Sequence, residues 1–380
     1  MRYFDESLAR HGSDAPSGGI VAGEFGMVGL QRFQFAEQGI VFGVGDFGRV
    51  QHVVLVFVVA ESFPQTVDFL LDRTHGRYTR RIANYLQPVL IYNPTAGKIR
   101  RDPEGILQSI TGILSGAGWH PQLLPTEAPG DATRLARAAV ERGADLILVL
   151  GGDGTINEVV NGMAHSSAVL GVLPGGTANV FAMETGFGSR LAQAAQRLTT
   201  SVERRISLGR FSNIDGERYF LLMGGVGFDA SIVLDVNAEL KAKTGKFAYW
   251  VAGFAQTFRS VPQFEMRSNG TRRTSGFTLV SRVRNYGGDL EIARRASLLR
   301  DDFQVVVLEG STAIRYASYL VGVGAQCLGL LPGVTDLHTE SLECSADVPV
   351  QLDGEYAGRT PGRFQIVRDS LSLLLPSDYR

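Results

Sequence analysis

The stretch GGDGTINEVVNG, residues 151–162, decides how this chain is interpreted. It follows DLILVL (145–150), an apolar run that predicts a buried strand. After the glycines, apolar residues recur at the spacing of one buried helix face, at Ile156, Val159, Val160 and Met163. We therefore expect a strand, a tight glycine-rich turn and a helix. A glycine-rich turn before a helix is suited to bind an anion, so the presence of an acidic residue, Asp153, in this turn needs an explanation.

The same alternation extends in both directions from this stretch. Short apolar runs predict strands at 88–93, 119–126 and 168–174. Between them, helical patterns run from about Pro103 to Leu114 and from a capping Asp131 to Gly143. Strands that alternate with helices indicate a doubly wound parallel sheet over residues 87–206.

Residues 207–380 have a different pattern. Short strand-like runs separated by Gly, Asp or Pro predominate, which predicts a β-sandwich as a second domain. Two helical patterns interrupt these runs, around 230–259 and 312–325. The predicted fold class is therefore α/β, a doubly wound nucleotide domain followed by a β-sandwich domain.

Residues 1–86 lack this regularity and are rich in Gly and Phe. They contain one formal dinucleotide fingerprint, from Gly43 to Gly48, but the residues that follow it are β-branched and predict a strand where the fingerprint requires a helix. We reject that fingerprint. The segment is either an appended module or the product of a wrongly chosen start codon. We expect it to be an N-terminal extension that is poorly ordered and dispensable for the core.

Composition excludes several classes of protein. The chain is 44% hydrophobic and 20% charged with a formal net charge of −1, which excludes a bulk polycation for nucleic acid. Two cysteines, Cys327 and Cys344, form neither a disulfide framework nor a zinc cluster. The apolar run 53–60 falls far short of the ~20 residues that span a bilayer. We expect a cytoplasmic protein whose membrane contact is peripheral.

Three glycine-containing loops each follow a predicted parallel strand: NPTAGK (93–98), GGDGTIN (151–157) and PGGTAN (174–179). The carboxyl ends of parallel strands meet at one edge of a sheet, where ligands bind. Glycines allow close approach of the backbone, and helix N-termini attract phosphate. The loops therefore predict a phosphate site, with side-chain donors at Asn93, Thr95, Lys98, Thr155, Asn157, Thr177 and Asn179. The alternative is that they are ordinary tight turns.

Asp153 fits this interpretation if a cation lies between it and the phosphates. Mg²⁺ prefers one or two carboxylates together with phosphate oxygens, so Asp153 is expected to act on a metal–nucleotide complex. The alternative is that Asp153 caps a helix that begins at Thr155.

Five motifs taken together resemble the catalytic family of the diacylglycerol kinases. They are YNPTAGK, LGGDGTINEVVNG, LPGGTANVFA, GVGFDA and LDGE, in that order along roughly residues 87–376. The bacterial lipid kinases and the sphingosine and ceramide kinases share this layout. GGDGT alone is less specific, because NAD kinases and phosphofructokinases also carry it. The resemblance implies an NAD-kinase-like nucleotide domain, a β-sandwich domain and an active site in the cleft between them.

The resemblance also implies a set of site residues. Glu355, in LDGE, matches the family's proton acceptor. Asp153, through its expected role on the metal–nucleotide complex, is the second expected catalytic residue. A carboxylate in reach of a lipid hydroxyl can take its proton during phosphoryl transfer. The alternative is that Glu355 only follows a hairpin turn at Asp353-Gly354. The implied ATP contacts are Asn93, Pro94, Thr95, Ala96, Gly97, Thr126, Gly151, Gly152, Asp153, Gly154, Thr155, Ile156, Asn157 and Thr177.

One position departs from the family pattern. The family's structural Mg²⁺ loop usually contains an Asp-Gly pair before a strand, whereas this chain has Asp301 and Asp302 without a glycine. Either aspartate is the expected ligand.

The expected function is that of an ATP- and Mg²⁺-dependent lipid kinase acting at a membrane surface. We expect no nucleic-acid partner. The sequence leaves open whether the chain forms a homo-oligomer. One alternative is a kinase of a soluble substrate, in the manner of NAD kinase. The other is a nucleotide-binding regulator without turnover.

Overall fold

The computed structural model describes residues 85–228, 230–231, 261–287 and 290–380, together with the backbone of strands between residues 20 and 81. The chain clusters into two compact units. One contains Met1–Tyr85 with Val202–Arg204, and the other contains Leu86–Ser201 with Arg205–Arg380.

In the first unit, the described backbone forms an antiparallel sheet in which each strand pairs with the next. The strands are β1 (Ile20–Glu24), β2 (Gln31–Phe35), β3 (Ile40–Phe47), β4 (Val50–Val58), β5 (Val67–Leu71) and β6 (Tyr78–Arg81). A strand, β4, follows the glycines at 43–48, which agrees with our rejection of a dinucleotide fingerprint there. We expected residues 1–86 to be poorly ordered. Most of these positions lie outside the described residues, so this expectation stays a prediction.

The second unit begins with the predicted alternation of strands and helices. Its elements are β7 (Pro88–Tyr92), α1 (Pro103–Gly116), β8 (Gln122–Pro125), α2 (Asp131–Glu141), β9 (Leu146–Gly151), α3 (Asp153–Met163), β10 (Val169–Pro174), α4 (Val180–Thr185) and α5 (Leu191–Thr199). The strands are parallel in the order β8-β7-β9-β10. In such a sheet the strand order reverses between β7 and β9, and ligands bind outside the carboxyl ends there.

The remaining elements are mostly antiparallel strands. They are β11 (Val202–Asn213), β12 (Gly216–Phe220), β13 (Met223–Gly227), β14 (Phe264–Ser268), β15 (Thr271–Ser275), β16 (Phe277–Ser281), β17 (Asn285–Gly287), β18 (Leu290–Glu291), β19 (Phe303–Leu308), α6 (Ala313–Gly324), a 3₁₀ turn (Leu328–Leu330), β20 (Val334–Thr339), β21 (Ser341–Cys344), β22 (Pro349–Leu352), β23 (Glu355–Arg359) and β24 (Gly362–Leu375). Of the two predicted helical patterns, α6 accounts for 312–325, and the one at 230–259 lies almost wholly outside the described residues.

The long strand β24 joins the parallel and antiparallel regions. Its end pairs in parallel with β10, through Val169 opposite Ser372, and its beginning pairs antiparallel with β21. A second sheet, in the order β20-β19-β16-β13-β22-β23, packs against this antiparallel region. The core between the two sheets is rich in buried aromatic rings, including Phe211, Phe220, Phe264, Phe303 and Phe364.

The predicted fold class is confirmed, since a parallel-rich sheet is followed by antiparallel sheets. The domain boundary expected between residues 206 and 207 falls inside β11, so the division at that point stays a prediction. No helix in the described part of the chain is both long and apolar enough to span a membrane.

Helices α2 and α3 pack closely at a glycine. Gly162 of α3 faces α2, and a Cβ at this position would lie 2.8 Å from the Ala136 Cβ and would overlap the Thr133 carbonyl oxygen. The start of α2 is held by Glu158 of α3, whose carboxylate accepts hydrogen bonds from the Gly130 and Ala132 N–H groups. Asp131, the expected cap, instead accepts from the N–H groups of the preceding turn.

We predict that Gly162→Ala destabilises the fold, because the new methyl group meets backbone atoms that cannot easily move. Overpacking of this kind costs about 1–3 kcal/mol of unfolding free energy. Gly112→Ala in α1 is the matched control, because nothing lies within 4 Å of its Cβ position. It should gain up to about 1 kcal/mol from helix propensity. Urea unfolding of both variants measures the difference; equal stability would contradict the close packing of α2 and α3.

Candidate functional site

The three glycine loops meet at the carboxyl edge of the parallel sheet. The Gly175 N–H donates to the Gly151 carbonyl oxygen at 2.8 Å, and the Gly176 N–H donates to the same oxygen at 3.1 Å. The Lys98 N–H donates to the Gly175 carbonyl oxygen at 3.1 Å. The loops that were expected to converge are therefore joined to one another by their backbones.

Glycine is required where the second and third loops touch. A Cβ on Gly176 would lie 2.6 Å from the Gly152 Cα. The Thr155 side chain covers Gly151, where a Cβ would lie 2.7 Å from the Thr155 Cβ. Helix α3 begins at Asp153, so the N–H groups of its first turn lie at this contact. A glycine loop followed by a helix N-terminus is an arrangement that binds phosphate.

The first loop and Thr126 lie beside this contact. Asn93 Oδ1 accepts hydrogen bonds from the N–H and the hydroxyl of Thr95, which fixes the turn. A Cβ on Gly97 would lie 3.2 Å from Thr177 Oγ1, so the first and third loops face each other at exposed positions. The Thr126 N–H donates to the Tyr92 carbonyl oxygen at 2.9 Å, at the end of β7. Of the other predicted contacts, Pro94 is half-buried and Ala96 is buried.

Lys98 has a structural role that the sequence did not predict. Its ammonium donates to the carbonyl oxygens of Pro174, at 3.0 Å, and Ser189, at 2.5 Å. Burial lowers the pKa of this ammonium. The expected donor to a ligand is therefore used to tie the first loop to the end of β10.

Asp153 connects the second loop to the third. It is the first residue of α3, and Gly152 is the N-cap, so Asp153 is not the capping residue considered as its alternative role. Its Oδ2 accepts a hydrogen bond from the N–H of Val180, the first residue of α4, at 3.3 Å. The carboxylate thus lies between the N-termini of two helices, at the junction of the loops.

Glu355 reaches this junction from the antiparallel region. It begins β23 directly after Asp353 and Gly354, whose φ values of 51° and 86° make a left-handed turn. Its Oε2 accepts a hydrogen bond from Arg218 Nη2 at 2.8 Å. Its Oε1 lies against Gly154, where an added Cβ would overlap it. Both predicted catalytic residues therefore border the same glycine loop, one within it and one against it.

Asp353 holds this hairpin in position. Its buried carboxylate accepts hydrogen bonds at 2.9 Å from the consecutive N–H groups of residues 221–223. It also accepts one from Asn157 Nδ2 at 2.8 Å. Burial raises the pKa of this carboxyl, and the four hydrogen bonds oppose that rise. The hairpin, β13 and α3 are joined through this one side chain.

Asn157 and Ile156 have side chains that are used inside the protein. Ile156 is in the core, and Asn157 is fully buried. Asn157 Oδ1 accepts hydrogen bonds from Arg218 Nε and Nη2, while its Nδ2 donates to Asp353 and to the Tyr219 carbonyl oxygen. Their expected role in nucleotide contact stays a prediction, and only their backbone groups remain to serve it.

Arg218 is the residue that sequence reasoning missed. It bridges Asn157 and Glu355, and it therefore orients the carboxylate that the LDGE motif supplies. It lies in β12, in a segment with no motif, so no local pattern marked it.

The predicted metal residues are engaged by other protein groups. Asp301 accepts a hydrogen bond from the Ser207 hydroxyl at 2.6 Å. Both oxygens of Asp302 are held by the Arg300 guanidinium, at 2.7 and 2.5 Å, and one of them also meets His338. Burial raises the pKa of the Asp302 carboxyl, but the hydrogen bond and charge of Arg300 outweigh this effect and leave the pKa lowered. Asp302 is a poor ligand in this geometry, and the metal site stays a prediction.

Comparison with known proteins identifies the family. The model of the diacylglycerol kinase catalytic domain matches residues 87–211. A diacylglycerol kinase of Bacillus subtilis is 31% identical over 301 residues, covering 76% of this chain and 96% of the relative. The chain belongs to the diacylglycerol kinase family. A diacylglycerol kinase of Staphylococcus aureus is 26% identical and covers 76% of this chain and 92% of the relative.

Solved structures of the diacylglycerol kinase family share the fold. A diacylglycerol kinase structure from Bacillus anthracis has a TM-score of 0.64 at 23% identity, covering 77% of this chain and 98% of that one. Another structure from the same organism has a TM-score of 0.68 at 21% identity, covering 82% and 100%. The chain is therefore a kinase by family, and it shares the fold of these structures.

We predict that Gly154→Ala lowers turnover without unfolding the protein. The atoms nearest to the new methyl group all belong to the Glu355 side chain, which is flexible and can move away. Displacing a catalytic group by about 1 Å costs roughly 10²-fold in rate. Gly116→Ala in α1 is the control, because nothing lies within 4 Å of its Cβ position. Turnover and melting temperature are measured for both variants. Full turnover in Gly154→Ala would show that the reaction does not depend on the position of Glu355.

Proposed function

We propose that this chain is an ATP- and Mg²⁺-dependent lipid kinase that transfers the γ-phosphoryl group of ATP to a hydroxyl of a membrane lipid such as diacylglycerol. The contact of Glu355 with Gly154 carries the proposal, because it brings a carboxylate to the loop suited to hold phosphates. The names of the relatives support diacylglycerol as the acceptor class.

In this proposal the nucleotide phosphates lie at the three glycine loops. The N–H groups at the start of α3 and the side chains of Thr95, Thr155 and Thr177 supply hydrogen-bond donors. Bound with the nucleotide, Mg²⁺ would neutralise phosphate charge. Asp153 is the one acid within residues 93–98, 151–157 and 174–179, so it supplies the carboxylate that such a complex prefers, directly or through water.

Glu355 then acts as the general base. Its carboxylate takes the proton of the lipid hydroxyl as that oxygen attacks the γ-phosphorus, and the bond to the bridging oxygen of ADP breaks. Arg218 holds one carboxylate oxygen, at 2.8 Å. The other oxygen faces the loop, which is the side from which the hydroxyl must approach the phosphate.

A surface on α6 supports contact with a bilayer. Ile314 and Val321 of this helix are 81% and 71% exposed, and Leu330 beyond it is 85% exposed. The sequence from 310 to 335 contains no acidic residue and one arginine. An apolar surface without carboxylates is compatible with anionic headgroups, so the proposed enzyme works as a peripheral membrane protein on the cytoplasmic side.

The substrate class is tested with γ-labelled ATP, Mg²⁺ and a total lipid extract, with NAD and other soluble alcohols in parallel reactions. We expect the label in a phospholipid fraction. Label only in a soluble product would favour a kinase resembling NAD kinase, and ATP binding without transfer to any acceptor would favour a regulator.

A pair of substitutions separates the two catalytic roles. Glu355→Gln keeps size and hydrogen bonding but removes the base, so turnover should fall roughly 10²–10⁴-fold while ATP affinity is nearly unchanged. Asp153→Asn should lose turnover together with Mg²⁺-ATP affinity, because its partner is the metal–nucleotide complex. Steady-state kinetics and equilibrium nucleotide binding measure both. If Glu355→Gln keeps more than about a tenth of the turnover, the residue serves only the turn and another group must act as the base, which Asp353 cannot do because its carboxylate is buried and engaged by four hydrogen bonds.

A further inference from the structure

A buried arginine lies where the family pattern leads one to expect a structural cation. The loop of residues 292–302 runs between β18 and β19 and ends at Asp301 and Asp302. Arg282, just after β16, has 0% of its surface exposed. Its Nη2 donates to the Leu298 carbonyl oxygen at 2.8 Å, and its Nη1 donates to the Arg300 carbonyl oxygen at 3.3 Å.

This geometry resembles the way in which oxygen ligands surround a hard cation. Backbone carbonyl oxygens are among the ligands that divalent cations take in proteins. A guanidinium cannot be deprotonated, so Arg282 carries its positive charge into the interior. A buried charge is tolerated where hydrogen-bond partners compensate it, and here the loop turns two carbonyl groups toward it.

The carboxylates of this loop are already engaged by other groups. Asp302 is held by Arg300 and His338, and Asp301 accepts from Ser207. Within residues 85–228, 230–231, 261–287 and 290–380, no three His, Cys, Asp or Glu side chains group so as to hold a metal ion. A divalent ion beside Arg282 would also meet like charge in a poorly screened interior. The residues of this loop do not fit a structural Mg²⁺.

We infer that the Arg282 guanidinium takes the place of the structural divalent cation, so that the loop of residues 292–302 is ordered without metal. The loop is tied to the rest of the molecule by protein groups. The Leu298 N–H donates to the Tyr379 hydroxyl, which donates to Glu184 of α4. The first N–H of α4 donates to Asp153. The fixed cation therefore supports the catalytic loop, and the Mg²⁺ of the proposed reaction comes with the nucleotide alone.

The first test measures metal content and stability of the nucleotide-free full chain after dialysis. We expect far less than one divalent ion per chain by elemental analysis, and the same melting temperature with EDTA as with added Mg²⁺. About one retained ion per chain, whose removal by EDTA lowers the melting temperature by several degrees, would overturn the inference.

The second test removes the guanidinium. Arg282→Ala leaves the two carbonyl groups without a cation, so its melting temperature should fall and should recover in part with millimolar Mg²⁺ or Ca²⁺, to which the wild type does not respond. Arg272→Ala is the control, since that side chain is 65% exposed. If Arg282→Ala does not fold, Arg282→Lys keeps the charge and should melt below the wild type yet ignore EDTA. Wild-type stability in a folded Arg282→Ala, or EDTA sensitivity in Arg282→Lys, would contradict the inference.

Discussion

The buried carboxylate of Asp353 is the interaction on which the site depends. A single side chain accepts hydrogen bonds from three consecutive N–H groups that lead into β13 and from the Asn157 amide of α3. Removing one partner of such a group leaves buried donors unsatisfied, which costs about 1–3 kcal/mol for each group. Because Asp353 is fixed in a left-handed turn, the next residue but one, Glu355, is carried to the face of Gly154. This anchor therefore keeps Glu355, the proposed base, close to the glycine loop of residues 151–157.

The continuous sheet makes that anchor effective. Strand β24 pairs in parallel with β10 of the parallel region and antiparallel with β21, so the parallel and antiparallel regions share one hydrogen-bonded framework. On the other side of the site, Glu184 of α4 accepts hydrogen bonds from the Arg284 and Asn285 N–H groups and from the Tyr379 hydroxyl. Asp153 and Glu355 are thus held from two sides by buried carboxylates in different elements. Rigid support of this kind is what keeps catalytic groups in productive geometry.

Much of this arrangement could be predicted from the sequence because it is local. The parallel sheet is predicted by the apolar strands and by the 3.6-residue period of α3. The converging loops are predicted by the glycines that follow the strands. The contacts that could not be predicted join residues distant in sequence. Arg218 meets Glu355 137 positions later, and Asn157 meets Asp353 196 positions later. Lys98 was expected to face the ligand and instead binds the carbonyl group of Pro174, while Glu158 caps a helix other than its own. The spacing of apolar residues cannot predict such pairings, because they form only when the sheet brings the elements together.

A crystal structure of the protein with Mg²⁺ and a non-hydrolysable ATP analogue would give the position of the bound nucleotide relative to Glu355, which tests the proposed reaction most directly. We predict that the γ-phosphorus lies at the glycine loops and within about 6 Å of the Glu355 carboxylate, which is the reach of a base that contacts an attacking hydroxyl about 3 Å from the phosphorus. A γ-phosphate bound at another edge of the sheet, or separated from Glu355 by more than about twice that distance, would contradict it.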